Sequence, residues 1–452
     1  MTETIQYILR FLMGEDISDE LLSQVGYTND PNEFHKYKLV ILPSTFFSTE
    51  IYGTSESLPQ LPLQIWEEAP ILFGEPVVEQ FENTRILHSD LIASTYFLIT
   101  RYEEMVRPET RDVHGRFPGK ESLPYRAGFI DSPLVDEYSK LLRTQLRETG
   151  MEIQEPLKQI RKIYLTHDID QLSHYRNFRG FMGGILRGLR WPKEGNQAIK
   201  SYFGGLRNDP WYTLPWMIKL DNSVRQVLGS ERCETIVFIK VGGGKRKEDK
   251  PFITHHIQDF QSVLNLCRKK NIIIGLHSSY EAGIHPSRIA EEKKHLERVS
   301  KRKTFYNRHH YLDTREPEDM QTLINVGITD DFTLGYADVA GFRLGTCRPV
   351  KWINPLTRGI TSLILHPLTV MDSTLSDKRY MYMNAHEAYE YCMRLINTVE
   401  SWNGELVLLW HNTSVEDTPQ SYHRKLYQDI IKYLRTKKEV EPVDSNDLVE
   451  KL

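Results

Sequence analysis

Apolar and polar residues follow different rhythms in the two parts of this chain. Up to about residue 155, short apolar runs alternate with loops and a few helical stretches. KYKLVILP (37–44) is an apolar run closed by proline, and PILFG (70–74) is a shorter one; both predict strands. From Ser89 to Val106 the residues Leu91, Ile92, Tyr96, Phe97 and Ile99 recur near helical spacing, with Ser89 or Asp90 available as cap. A second helix is predicted over 136–148, and the polar stretch 111–128 is a loop between the two. Pro156, in MEIQEPLKQ, marks the change of pattern.

From Lys162 onward short apolar runs are separated by helical patterns. KIYLTHDID (162–170), TIVFIKV (235–241), NIIIGLHSS (271–279) and ELVLLWHN (405–412) predict strands, with fainter ones over 303–312 and 362–372. Helices are predicted over 212–226, 255–270, 286–301, 317–326, 385–402 and 421–437. Such alternation predicts an α/β fold built on a parallel sheet or barrel. We expect two domains, residues 1–155 and residues 156–452, and find no internal repeat.

Composition narrows the class. Of 452 residues, 40% are hydrophobic and 11% aromatic, enough to bury a core and to exclude a disordered or fibrous chain. Lys and Arg number 57 against 61 Asp and Glu, so no global basic surface invites nucleic acid. Cys233, Cys267, Cys347 and Cys392 are far apart and form no CxxC pair, which argues against a zinc knot or disulfide framework and suits a reducing cytosol. The first residues, MTETIQYILRFLMGEDIS, are too acidic and too briefly apolar for a secretory signal, and no run approaches about 18 apolar residues. The expectation is a soluble, cytoplasmic protein.

The clear strands end in ligand-type residues: Asp168 and Asp170, His277, His310 and His411. In parallel α/β sheets functional groups gather at the carboxyl ends of strands, so these residues should meet at one rim. Carboxylates at i and i+2 share a strand face, and a divalent metal lets one ligate while the other acts as base. Taken singly, the Asp pair could be turn formers and each histidine a hydrogen-bonded core residue. Arg343, in the Gly-punctuated GFRLGTCRP, could clamp a carboxylate or form an ordinary ion pair.

From about Lys162 to its end the chain resembles the polysaccharide deacetylase (NodB-homology, carbohydrate esterase family 4) superfamily. More narrowly, it resembles a bacterial branch with an extra N-terminal domain of unknown function. THDID resembles the first deacetylase motif, HSSYE the second, GFRLGTCRP the third and ELVLLWHN the last. DPWYT (209–213) resembles a further segment of this branch, and FLITRYEE (97–104), DVHGRF (112–117) and PLVDEY (133–138) resemble its N-terminal domain. The resemblance implies a distorted (β/α) barrel behind a smaller α/β N-terminal domain. It implies Asp168 as catalytic base, Asp170 and His277 as metal ligands, Arg343 as orienter of the base and His411 as general acid. The implied cofactor is a divalent metal ion, zinc foremost; the implied substrate is an N-acetylated carbohydrate, which loses acetate.

The chain departs from that pattern in two places. The usual second histidine, four residues after the first, is Glu281 here, and the first motif lacks the adjacent Asp pair followed by Gly. His310 is therefore expected as third ligand, ahead of Glu281, because a strand end fixes a ligand more rigidly than a loop. His309 should alternate to the opposite face, while Arg308 shares the face of His310 as a cationic neighbour. A non-catalytic glycan-binding relative and a sugar O-deacetylase are the alternatives. The stretch 174–195 mixes Arg with Phe, Met, Ile, Leu and Trp. It reads first as a helix-loop element over the rim, since its glycines weaken an amphipathic helix; the alternative is peripheral contact with an anionic membrane. VGGGKRKEDK (241–250) lacks phosphate-loop spacing and reads as a flexible basic loop.

Overall fold

The computed structural model describes residues 2–251, 257–315, 318–418 and 421–437. The expected starts of two helices, His255 and Pro317, lie outside them, but the helices Ile257–Lys269 and Glu318–Asn325 follow directly.

The first half carries six strands. These are β1 (Val25–Tyr27), β2 (Leu39–Ile41), β3 (Gln64–Trp66), β4 (Ala69–Ile71), β5 (Gly74–Phe81) and β6 (Thr84–Ser89). Four of them form a sheet in the order β1-β2-β6-β5, and β3 pairs with β4 in a hairpin. The helix expected over 89–106 is two helices, Leu91–Ile99 and Tyr102–Val106. Asp90 caps the first by accepting from the Ala93 N–H, and Arg101, with φ of 55°, breaks the run.

Among its described residues the second half carries nine more strands: β7 (Lys162–Ile169), β8 (Cys233–Ile239), β9 (Ile273–Ser278), β10 (Tyr306–His309), β11 (Asp330–Asp331), β12 (Val350–Ile353), β13 (Ile360–Leu365), β14 (Val370–Met371) and β15 (Glu405–Leu409). They form one sheet in the order β12-β13-β11-β10-β9-β8-β7-β15-β14. All neighbours run parallel except β12 and β13. The α/β expectation therefore holds. The sheet has two edges, β12 and β14, so its strand ladder does not close into a ring. Strand β15 is buried at every position and β7 at all but its first, as befits central parallel strands covered on both faces. No described helix is long and apolar enough to cross a membrane. The four cysteines are free and buried.

Candidate metal centre

Topology brings the chemistry together. Asp168 is on β7 and Asp170 follows it; Lys240 follows β8, His277 is on β9, His310 follows β10, Asp372 follows β14 and His411 lies two residues past β15. All are at the carboxyl ends of parallel strands, the rim where the strands' connections leave room for a site. They line one cleft of about 460 Å³.

Asp170, His277 and His310 each offer a ligand atom within 4.8 Å of the others. His277 Nε2 is 3.0 Å from Asp170 Oδ1, and His310 Nε2 is 3.3 Å from the same oxygen. The chemistry of this arrangement can be tested on His277. Its Nδ1 lies 2.9 Å from the Arg308 carbonyl, which can only accept, so Nδ1 carries the hydrogen. Nε2 of the neutral ring then holds a lone pair facing a carboxylate oxygen. Two acceptors face each other unless a cation, a proton or a metal ion, lies between them. Asp170 Oδ1, His277 Nε2 and His310 Nδ1 are all buried without a hydrogen-bond partner. A carboxylate and two imidazoles on an open cleft are a donor set that suits zinc and its neighbours, so the residues fit the group. Burial disfavours the charged Asp170 carboxylate, but His310 and His277 hold its pKa well below the ordinary range.

Asp249 backs His310. Its Oδ1 is 3.9 Å from His310 Nδ1, and its carboxylate accepts the backbone N–H groups of Gly244, Tyr280 and Glu281. Against the cost of burial, His310 and these N–H groups lower its pKa to about 2. The loop 241–250, expected to be merely flexible and basic, is tied to the site through this residue. Glu281 is not part of the donor set: it faces Arg246 at 3.4 Å and His285 at 3.6 Å.

Asp168 lies beside the donor set, its Oδ2 3.7 Å from His277 Nε2. Arg308 Nη1 donates to Asp168 Oδ1 at 3.0 Å and to Thr166 Oγ1 at 2.7 Å. Arg343, expected to orient this carboxylate, is elsewhere. It forks onto Glu104 with bonds of 2.9 and 2.8 Å and donates to the Gly335 carbonyl. A guanidinium with Nε and Nη2 committed to Glu104 and Nη1 to the Gly335 carbonyl does not serve Asp168; that place is filled by Arg308. Regular alternation had put Arg308 on the face of His310, and its charge is matched by Asp168 rather than left against the metal site.

His411 presents Nε2 to the cleft, 3.8 Å from Asp170 Oδ2. Its other nitrogen lies 2.7 Å from Asp372 Oδ1, and its own N–H donates to Asp372 Oδ2. Ser414 adds a hydroxyl donor to the same carboxylate. Burial works against the imidazolium, but Asp372 overrides it and raises the His411 pKa to about 10. The Asp372 carboxyl is held down to about 2, against burial, chiefly by His411. Asp372 was not foreseen, although it ends the fainter apolar run 362–372 by the rule that pointed to the other groups. Lys240 is a second omission. It is 2% exposed and lines the cleft, and burial lowers its pKa against the pull of Asp170, Asp249 and Glu292. From the N-terminal half, Arg116 also lines the cleft, bonded to Asp112, to the Tyr311 carbonyl and to the Tyr380 hydroxyl.

Residues 1–151 match the profile of a family of unknown function, DUF7033. No curated protein matches the chain. Among solved structures, the chain is similar to a crystal structure of a candidate polysaccharide deacetylase from Mycobacterium smegmatis, with 13% identity and a TM-score of 0.40. The match covers 62% of this chain and 86% of that one.

Proposed function

We propose that the chain is a metal-dependent hydrolase that removes N-acetyl groups from an amino sugar in a glycan or glycan precursor, acting on a carbon–nitrogen bond other than a peptide bond. The observation that carries this reading is the convergence of Asp170, His277 and His310 with two further groups. Asp168 and His411 lie 3.7 and 3.8 Å from members of that set. The order of the four deacetylase-like motifs along the sequence supports it. Asp170, His277 and His310 would hold the divalent cation, zinc by the donor set, whose chemistry there is Lewis-acid polarisation of a carbonyl and activation of water.

The chain's own groups divide the proton work. Asp168 has one oxygen fixed by Arg308, leaving Oδ2 to take the proton of the attacking water. His411, oriented through Nδ1 by Asp372, gives a proton from Nε2 to the departing amine. Water adds across the amide, and the products are acetate and a free amino sugar. Lys240 offers ammonium donors to a substrate oxygen. We assign this chemistry to a domain of residues 156–452. To residues 1–155 we assign a supporting domain that contributes Arg116 to the cleft wall. The buried free thiols favour a reducing, cytoplasmic setting.

Acetate release from matched N-acetyl and O-acetyl sugars, with zinc-loaded protein, tests the reading. Release from the N-acetyl sugar is expected. Release from the ester alone would make the protein a sugar O-deacetylase. Zinc binding with release from neither would leave a non-catalytic glycan-binding protein.

A further inference from the structure

We propose that the helical hairpin 178–204 docks the protein onto an anionic lipid bilayer and holds the rim of the cleft at the membrane surface. The inference stands on the hairpin's own surface and does not depend on the deacetylase reading.

The hairpin consists of the helices Phe178–Gly188 and Pro192–Gly204. They cross backbone to backbone. A Cβ at Gly184 would lie 2.5 Å from that of Ala198, and one at Gly188 would lie 2.6 Å from the Gly195 Cα. The glycines that looked like a weakness of an amphipathic helix are thus the contact between two short ones. With small residues inside the crossing, the large apolar side chains turn outward. Phe178, Met182 and Leu186 are four residues apart and form one stripe, continued by Leu189. Phe178 is 71% exposed, Leu186 63% and Leu189 85%. Across the hairpin Trp191, Ile199 and Phe203 are exposed as well, Phe203 at 75%.

Charge selects the occupant. Arg179, Arg187, Arg190, Lys193 and Lys200 stand among these side chains, with Glu194 the one acidic residue between 178 and 204. Glu194 is already engaged by Arg187 at 2.7 Å. A symmetric dimer through this face would press cations on cations. A bilayer with anionic headgroups accepts both the apolar stripe and its basic border.

The hairpin is fixed to the site. It is joined to β7 by residues 170–177, which begin with Asp170 and Gln171. Asn412, next to His411, donates to the carbonyls of Gln171 and Trp211 at 2.9 and 2.8 Å. Asp209 accepts from the N–H groups of His174 and Tyr175 and from the Ser201 hydroxyl. Both ends of the element are therefore clamped to the rim that carries His411, and a membrane under the hairpin lies beside the cleft mouth.

The full chain can be floated with vesicles of phosphatidylcholine alone or mixed with phosphatidylglycerol. We expect about tenfold or stronger binding to the mixed vesicles at low salt, weakened by sodium chloride. The triple variant Leu186→Ser, Leu189→Ser, Phe203→Ser should lose about tenfold or more. Arg190→Glu with Lys193→Glu should lose a similar factor on charged vesicles only. These side chains are exposed, so unchanged thermal melts should accompany the losses. Absence of flotation at low salt, or flotation that neither variant weakens, overturns the proposal. A dimer that the serine variant dissolves, seen by sedimentation, would assign the face to a second copy and overturn it too.

Discussion

Arg308 is fully buried, and its contacts set the arrangement around Asp168. Besides Asp168 and Thr166, its Nε donates to the Phe332 carbonyl at 3.0 Å, and its guanidinium carbon lies 4.6 Å from the centre of the Phe238 ring. Asp168 is thereby held by a charge partner and Asp170 by two imidazoles, so neighbouring carboxylates of one motif sit in separate environments, as the proposed division into base and ligand requires. Metal content should follow this separation. His310→Ala should lose zinc affinity about as severely as His277→Ala, while Glu281→Gln, directed at Arg246 and His285, should lose much less. Calorimetric zinc titrations decide it, and a His310→Ala protein that binds like the parent would remove His310 from the centre. The acid side has its own check. Asp372→Asn removes the carboxylate that fixes the His411 ring and should lower kcat by about a hundredfold or more with zinc content unchanged. A variant with parental kcat would leave Asp372 no part in positioning the acid.

At the scale of elements, the run 362–372 shows where periodicity stops being informative. It reads as one strand, yet it is β13, a break over 366–369, and then the two-residue β14. His366 bridges elements that periodicity cannot connect. Its Nε2 lies 2.9 Å from Asp330 on β11 and its Nδ1 2.8 Å from Glu405 on β15. Burial opposes the charge, but the two carboxylates raise the His366 pKa to about 9. A raised folded-state pKa stabilises fully below the unfolded value, about 6.5, and the benefit is lost as pH climbs through about 9. The Tm difference between the parent and His366→Gln should therefore be largest just below about pH 6.5, fall through neutrality and shrink by pH 10. A difference that stays constant over that range would sink the linkage. The long runs ending at Asp168, His277 and His411 were legible because central parallel strands are continuously apolar. The end of β10 was legible only to within a residue, since His310 opens a tight turn in which Tyr311 has φ of 64°. The hairpin 178–204 stayed ambiguous because its glycines act between helices, and partner helices leave no trace in a single helix's periodicity.

At the scale of the whole molecule, the two halves are joined through one continuous apolar core, which includes Ile8 and Leu12 near the start and Leu363 and Leu365 on β13. Polar ties reinforce it, and they link the segments singled out in the sequence. Glu104 of FLITRYEE receives Arg343, and Asp136 of PLVDEY receives Arg348 at 2.6 Å and the Thr346 hydroxyl. A role for Arg343 beside Asp168 was suggested by its motif; what could not be read was that an acidic residue 239 positions earlier claims it, because pairing between distant segments has no local signature. Burial disfavours both charges, yet Arg343 and Arg101 hold the Glu104 pKa low. Removing one partner from such a pair strands the other in the interior. Glu104→Met should therefore destabilise the protein by about 3–5 kcal/mol, whereas Glu104→Met with Arg343→Met should recover the part that comes from Arg343, the remainder reporting the contact of buried Arg101 with Glu104 at 3.6 Å. Chemical denaturation of the parent, both single variants and the double variant measures this coupling. Because the core is shared, the parent should unfold in one transition, and the single variants should loosen the N-terminal half first. If Arg343→Met instead abolished acetate release while leaving stability and zinc binding at parental values, Arg343 would belong to the chemistry after all, and the union of the halves would rest on the apolar core and the other polar ties, Arg348–Asp136 and Arg116–Tyr380 among them.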